Sequence, residues 1–280
     1  MSQDFLFQCT LSPRYTDLDT WRHVNNTRLY HFHQEARLRA HLELFGPDAW
    51  FSDQVRLRPL RSITNYQQVT WYGSDVQAEV SVLSCDAEQY RVRSELFQNG
   101  QRVGVQDCVM GALTQGQWVE LPDYIRTGLL PAVSGEVAAL PDDSFRQQLV
   151  HAHNFAVRQQ ITPRYADLDA DSQRSEAALA RYMEQARFGA IRSLDLQGLG
   201  VLVASTDICF DNYQPGSHAV ELAAGINRIG NSSFCFTGCA LHKDQVQAAA
   251  NSVMVLIDPA NNRPIALPAA VREQLEALRV

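Results

Sequence analysis

Two carboxylates, an imidazole and two carboxamides fall within one short stretch of this 280-residue chain. It reads Tyr15-Thr16-Asp17-Leu18-Asp19-Thr20-Trp21-Arg22-His23-Val24-Asn25-Asn26. The residues that follow, from about Thr27 to Phe45, predict a long helix, so the polar string stands at a helix mouth. A helix N-terminus offers unpaired N–H groups and roughly half a positive charge. Such groups can polarise a carbonyl and hold the oxyanion formed when it is attacked. A carboxylate just upstream can act as general base toward water or as the nucleophile itself. An imidazole can orient water or substrate, and an Asn can supply hydrogen bonds. The same residue types also serve folding, because Asp19, Asn25, Asn26 and Thr27 are all good helix caps.

The elements that must position this string occur twice. Pro13-Arg14-Tyr15-Thr16-Asp17-Leu18-Asp19 returns 150 positions later as Pro163-Arg164-Tyr165-Ala166-Asp167-Leu168-Asp169. At that offset residues 11–38 and 161–188 share nine identities without a gap. Trp118-Val119-Glu120-Leu121-Pro122 is echoed by Ile265-Ala266-Leu267-Pro268. The chain therefore reads as two similar domains, residues 1–128 and 149–280, joined by a Pro-, Gly- and acid-containing linker over 129–148. Each copy predicts a short strand (Phe5 to Leu11, Phe155 to Ile161) and the Asp-x-Asp turn. A long helix follows (Thr27 to Phe45, Ser175 to Leu194), and then four strands. The first copy's four are Asn65 to Tyr72, Val76 to Ser84, Glu88 to Gln98 and Arg102 to Thr114. The second's are Val201 to Phe210, His218 to Arg228, Ser233 to His242 and Val246 to Asp258. One helix followed by an antiparallel meander is an α+β pattern and argues against a doubly wound parallel sheet.

Composition narrows the function classes. Hydrophobic residues make up 45% and charged residues 20%, which is too apolar for disorder, and a net charge of −7 disfavours nucleic-acid coating. The six cysteines form no C-x-x-C pair and predict buried thiols in a reducing compartment, neither a disulfide framework nor a zinc site. No secretory signal pattern opens the sequence and no run of about 18 apolar residues could span a bilayer, so a cytoplasmic location is expected.

The string from Tyr15 to Asn26, with Glu35-Ala36-Arg37 at its matching distance along the helix, resembles the signature of the hotdog-fold thioesterases. These are the 4-hydroxybenzoyl-CoA thioesterase family and the related acyl-ACP thioesterases. The resemblance is specific over about 25 residues, and beyond them it rests on the strand order. It implies a long helix wrapped by a curved antiparallel sheet in each copy, the two tandem hotdog domains forming a covalent pseudo-dimer. It also implies hydrolysis of an acyl thioester to a carboxylic acid and a free thiol, with no cofactor and no metal. Asp17 matches the acidic position of the hydroxybenzoyl-CoA branch and becomes the expected general base or nucleophile, with His23 as its catalytic companion. Asp19, Asn25 and Asn26 are the expected substrate-binding residues. In the acyl-ACP branch the motif emphasises the acid matching Asp19, an Asn at the position of Trp21 and the His matching His23, and Trp21 departs from it. The acidic balance favours coenzyme A over an acidic carrier protein as thiol carrier, and further pairing into a homodimer is common for hotdog units.

In the second copy His-Val-Asn-Asn has become Gln173-Arg174-Ser175-Glu176 while Asp167 and Asp169 remain. That difference predicts one working site per chain, built on Asp17. Two other readings compete. A non-catalytic acyl-binding or scaffold protein would explain a fold that persists without the polar cluster. A hotdog hydratase would need Asp-x-Asn-Pro-x-His, whereas Asp19 and His23 are four apart without Asn-Pro. Other groups carry less. His31 and His33 point apart on a helix, His151 and His153 lack further ligands, Gly198-Leu199-Gly200 precedes a strand, and no Gly-x-Ser-x-Gly elbow occurs. Arg56-Leu57-Arg58-Pro59-Leu60-Arg61 reads as a solvated loop that could otherwise meet phosphates.

Overall fold

The structure is a computed structural model that describes residues 7–46, 55–134, 137–213 and 216–280. The first two residues of the expected opening strand, Phe5 and Leu6, and Gly135-Glu136 of the expected linker lie outside the described residues. The chain divides into two compact units, Met1–Leu140 and Pro141–Val280.

The first unit runs β1 (Phe7–Leu11), α1 (Asn26–Phe45), β2 (Arg56–Tyr66), β3 (Val76–Cys85), β4 (Gln89–Gln98), β5 (Gln101–Thr114), β6 (Gln117–Val119) and α2 (Asp123–Leu129). Its sheet has the order β1-β3-β4-β5-β2, antiparallel throughout, with β6 added to β5. The β4–β5 hairpin turns at Asn99-Gly100, both at positive φ (53° and 76°), the left-handed pair that a two-residue turn of this twist needs. Leu29, Phe32, Ala36 and Ala40 of α1 share a core with Val76, Val80, Val92, Leu96 and Met110 of the strands. Each fully buried Leu, Val or Phe there contributes about 1.5–3 kcal/mol, far more than helix propensity supplies. Gly46 ends α1 at φ 85°, and its N–H bonds the Leu42 carbonyl.

The second unit repeats this plan as β7 (Val157–Ile161), α3 (Glu176–Ile191), β8 (Gly200–Phe210), β9 (Val220–Ile229), β10 (Ser233–His242), β11 (Gln245–Asp258), β12 (Arg263–Pro264) and α4 (Ala269–Glu276). Its sheet order is β7-β9-β10-β11-β8, with β12 on β11. The echo between Trp118–Pro122 and Ile265–Pro268 has a structural meaning, since Pro122 and Pro268 cap α2 and α4. An antiparallel set of strands with one long helix packed on it, present in each unit, is the α+β tandem hotdog architecture.

Three segments differ from expectation. Arg56 to Arg61 is no loop: it forms the first half of β2, with Leu57 in the core. Pro59 is accommodated because the β2–β5 register shifts between Pro59 and Arg61, a bulge, which is where a strand tolerates a residue without an N–H. The strand expected from Asn65 to Tyr72 accordingly lies earlier in the chain, since β2 ends at Tyr66 and the residues from Gln67 to Asp75 are irregular. The interval read as linker, 129–148, contains a 3-10 turn at Leu130–Ala132, and a second 3-10 segment begins at Ser144 and runs to Asn154. His151 and His153 lie in that segment, their ring centroids 6.4 Å apart. All six cysteines are free thiols.

Candidate active site

The polar string folds into a tight loop that docks on the start of α1. Residues Tyr15–Asp17 make one 3-10 turn. The chain then doubles back: Leu18 bridges Val24, the Asp19 N–H bonds the His23 carbonyl at 2.8 Å, and the Asn25 N–H bonds the Asp17 carbonyl at 2.8 Å. Asp17 is thereby tied through its backbone to the N-cap of α1. Asn25 is that cap, its Oδ1 accepting from the Thr27 N–H at 2.8 Å and the Thr27 hydroxyl at 2.6 Å. Asn26 opens the helix with its side-chain Nδ2 buried and without an acceptor among the described residues.

The Asp17 side chain is 1% exposed. One carboxylate oxygen accepts the Arg14 backbone N–H at 2.8 Å and Arg14 Nε at 3.2 Å, and the other accepts an Arg14 terminal nitrogen at 3.0 Å. Burial pushes the carboxyl pKa up, but the Arg14 bonds and charge, with the field of Arg28, outweigh it and hold the pKa below its ordinary value. Asp17 is therefore a buried, desolvated and ionised carboxylate at a helix mouth. Its guanidinium partner is 69% exposed, so that side chain can leave at little cost.

Asp19 does a different job. Its Oδ1 accepts the backbone N–H groups of Trp21 (2.9 Å) and His23 (3.2 Å), which closes the loop. Asp169 makes the same two bonds to Asp171 and Gln173 in the second unit, so this part of the repeat shapes the turn in both copies. The His23 ring is half-buried and meets the Trp71 ring edge-on, centroids 4.7 Å apart. Among the described residues no side-chain hydrogen bond joins His23 to Asp17. The loop thus brings Asp17 to Asn25 and Asp19 to His23, and joins each pair through the backbone.

Residues outside the string complete the picture, and their roles carry no signature that sequence reasoning could use. Arg14 is the exception, since its recurrence as Arg164 marks it. The Thr70 carbonyl accepts the Val24 N–H at 2.9 Å, and Gln98 clamps the Trp71 backbone through two bonds of 2.9 and 2.8 Å, which fixes the loop carrying Trp71 and Tyr72. Tyr15 meets Tyr72 edge-on at 6.3 Å.

The second copy has the same backbone but different wiring. Asp167, 3% exposed, accepts from Arg164 (backbone N–H, 2.9 Å; side chain, 3.4 Å), Arg181 (2.8 Å) and the Tyr182 hydroxyl (3.1 Å). Burial pushes its pKa up, and these bonds bring it below the usual carboxylate value; the Tyr182 phenol is pushed up to about 12, chiefly by burial. Arg174, where the first copy has Val24, is fully buried and donates to the carbonyls of Gly216 (3.1 Å) and His218 (2.7 Å). Gly216 in turn lies so close to the Ser172 carbonyl that any Cβ there would clash with it. The segment from Gly216 to His218 is thereby tied to the turn that precedes α3.

The paired sheet-and-helix units define a tandem hotdog protein. The fold of a 12:0-ACP thioesterase from Umbellularia californica matches over 89% of this chain and 94% of that one, with a TM-score of 0.73 at 12% identity. A protein assigned as an oleoyl thioesterase from Lactobacillus plantarum matches over 90% and 96% (TM-score 0.75, 11% identity). An acyl-ACP thioesterase from Bacteroides thetaiotaomicron matches over 89% and 97% (0.65, 9%). No family model and no curated protein matches the sequence itself, so the likeness is one of fold. Among the described residues no helix is long and apolar enough to cross a membrane, and no cluster of three His, Cys, Asp or Glu is placed to hold a metal.

Proposed function

We propose that the protein is an acyl thioesterase whose single working site is the first unit's Asp17 loop. The observation that carries this reading is a carboxylate 1% exposed, kept ionised, and bonded through its own backbone to the N-cap of a 20-residue helix. A carboxylate stripped of water is a stronger base or nucleophile than a solvated one, once its guanidinium partner swings aside. Asp17 acts as general base or nucleophile toward the thioester carbon. The oxyanion is received by the N–H groups at the start of α1 and by the buried Asn26 amide, a donor in want of an acceptor. His23 orients water or the leaving thiol. Asn25 and Asp19 serve substrate binding by holding that mouth in shape, since each oxygen described above is engaged with backbone N–H groups. Three fold relatives named for acyl-thioester hydrolysis support the reaction class. The setting is the cytoplasm, to which six free thiols are suited, in fatty acid metabolism, with the chain acting alone or as a homodimer.

The test is thiol release from a panel of aryl, short, medium and long acyl-CoAs, with Asp17→Asn beside the wild type. The substitution is expected to lower kcat by about 10²–10⁴-fold without unfolding the protein. Full activity in Asp17→Asn would move the site elsewhere. Acyl-CoA binding without hydrolysis by the wild type would favour the acyl-binding reading.

A further inference from the structure

The hairpin between β4 and β5 turns on Asn99-Gly100, the one place in the sequence where an asparagine precedes a glycine. Both residues are exposed, and both sit at positive φ, 53° and 76°. A Cβ built on Gly100 would meet nothing within 4 Å, and among the described residues no hydrogen bond engages the Gly100 N–H. The backbone nitrogen that follows the Asn99 carboxamide is therefore open to water and unshielded by a side chain. The residue before the turn is held quite differently. Gln98, which pairs with Gln101 to close the hairpin, is 4% exposed. Its carboxamide accepts the Trp71 N–H at 2.9 Å and donates to the carbonyls of Trp71 and Ser74, each at 2.8 Å. Trp71 in turn lies edge-on against the His23 ring. The second unit builds the same turn without this pair. β4 and β10 begin 144 residues apart, as do β5 and β11, so Gln98-Asn99-Gly100 becomes His242-Lys243-Asp244. Lys243 and Asp244 are again at positive φ, 47° and 63°.

We propose that Asn99 is a site of spontaneous covalent modification, conversion to aspartate and isoaspartate, and that the isoaspartyl form loosens the loop that sets Trp71 against His23. The Gly100 nitrogen gives up its proton and attacks Asn99 Cγ. The new C–N bond closes a five-membered imide while the Cγ–Nδ2 bond breaks, and ammonia leaves with the proton lost from Gly100. Water then opens the ring. Opening at Cγ restores the ordinary backbone with an aspartate, whereas opening at the Asn99 carbonyl carbon leaves the main chain running through Cβ and Cγ, one carbon longer. The balance is one water in and one ammonia out, with nothing oxidised or reduced. A two-residue turn fixes the register of its hairpin, so an added backbone atom is felt first at the closing pair, Gln98 and Gln101. Gln98 cannot follow without giving up bonds to Trp71 and Ser74, and a buried amide left unpaired is costly. The modification needs no assumption about the protein's activity; only the expected loss of rate rests on the thioesterase reading.

Incubation of the full chain in mildly alkaline, isotope-labelled water, followed by peptide mass mapping and a methyl-acceptor assay for isoaspartate, tests the site. Label is expected at Asn99 first, roughly tenfold faster than at any other asparagine, because glycine alone puts no side chain beside the attacking nitrogen. Hydrogen exchange is then compared between the isolated isoaspartyl form and fresh protein. The Trp71 amide is expected to exchange about fivefold faster in the former, the worth of one net hydrogen bond. Asn99→Lys combined with Gly100→Asp, the second unit's own pair, is expected to fold, to gain no isoaspartate at the turn and to keep the slow exchange. In thiol release the aged wild type loses rate in step with its isoaspartyl fraction, and the double variant does not. Asn99 still an amide after a free peptide of residues 95–104 has converted, or an isoaspartyl form whose Trp71 amide exchanges as in fresh protein, would overturn the proposal. Isoaspartate and faster exchange in a protein that releases no thiol, fresh or aged, would leave the modification standing and sink the thioesterase reading alone.

Discussion

At the scale of single residues, the decisive competition is between burial of the Asp17 carboxyl and its pairing with Arg14. Burial raises the pKa, and the Arg14 fork with the Arg28 field lowers it by more, so the group stays charged throughout the neutral range. A carboxyl depressed in the fold keeps its charge above the unfolded value of about 3.9 and loses it as pH falls through the lower, folded value. The acid limb of kcat/KM assigned to Asp17 is therefore expected below about pH 4, read in pH-jump assays too brief for unfolding. Arg14→Ala removes the side-chain bonds and charge of the fork but keeps the residue-14 backbone N–H and Arg28, so burial is less well opposed and the limb moves upward. Stability near neutral pH falls with it, by about 1.4 kcal/mol for each pH unit the limb moves. An unmoved limb would mean that another group titrates in the reaction. The string from Asp17 to Asn26 was legible at this scale because its residues are contiguous and their types are unusual before a helix. Which aspartate shapes the turn was not legible, because both are Asp in both copies. Hydrogen bonds separate them: Asp19 and Asp169 accept the same pair of backbone N–H groups, whereas Asp167 adds Arg181 and Tyr182 to the upstream arginine that each of Asp17 and Asp167 has.

At the scale of elements, strands β3 to β5 and β9 to β11 were readable to within a residue or two. β2 was not, because three arginines and a proline within residues 56–61 mimic a loop until the bulge at Pro59 is seen. Helix α1 was legible as a helix but not in its burial. His33, Arg37 and His41 lie on its inner face, and polar types there read as solvent-facing until the sheet covers them. His33 is wholly buried with Nδ1 2.7 Å from the Ser94 hydroxyl, and burial, helped by Arg37, lowers its pKa to about 3; burial lowers that of His41 to about 4. The sign is the reverse of a paired histidine. Below about pH 6.5 the unfolded chain takes up protons that the fold refuses, so stability falls with pH from there down to the folded values. Each histidine is expected to cost about 2 kcal/mol between pH 7.5 and 5. Urea midpoints at the two pH values measure the loss, and His41→Gln should remove about half of it. Equal midpoints for the wild type would show that α1 opens to solvent near these rings.

At the scale of the whole molecule, the repeat made two copies of one fold visible in the sequence, but not how differently the second copy is wired. Gln173-Arg174-Ser175-Glu176 looked like simple erosion. Instead Arg174 holds the carbonyls of Gly216 and His218, while Arg181 and Tyr182, where the first copy has His31 and Phe32, bond Asp167. Where Asp17, the base proposed above, pairs with Arg14, Asp167 is the centre of a wider polar network. Replacing the central carboxylate by a neutral amide strips the charge from its bonds to Arg181 and Tyr182, which costs about 1.5–3 kcal/mol. Asp167→Asn is therefore expected to lower the unfolding free energy by about that amount and to change kcat/KM on acyl-CoA by less than about twofold. Asp17→Asn is expected to do the opposite, since the guanidinium that pairs with it is exposed: a large loss of rate with a small change in stability. Measuring both variants by denaturant unfolding and by thiol release gives a crossed pattern, one unit tuned for chemistry and the other for holding its own fold closed. If Asp167→Asn abolished activity while the protein stayed folded, the division of labour between the two copies would be wrong and both aspartates would have to be assigned to the reaction.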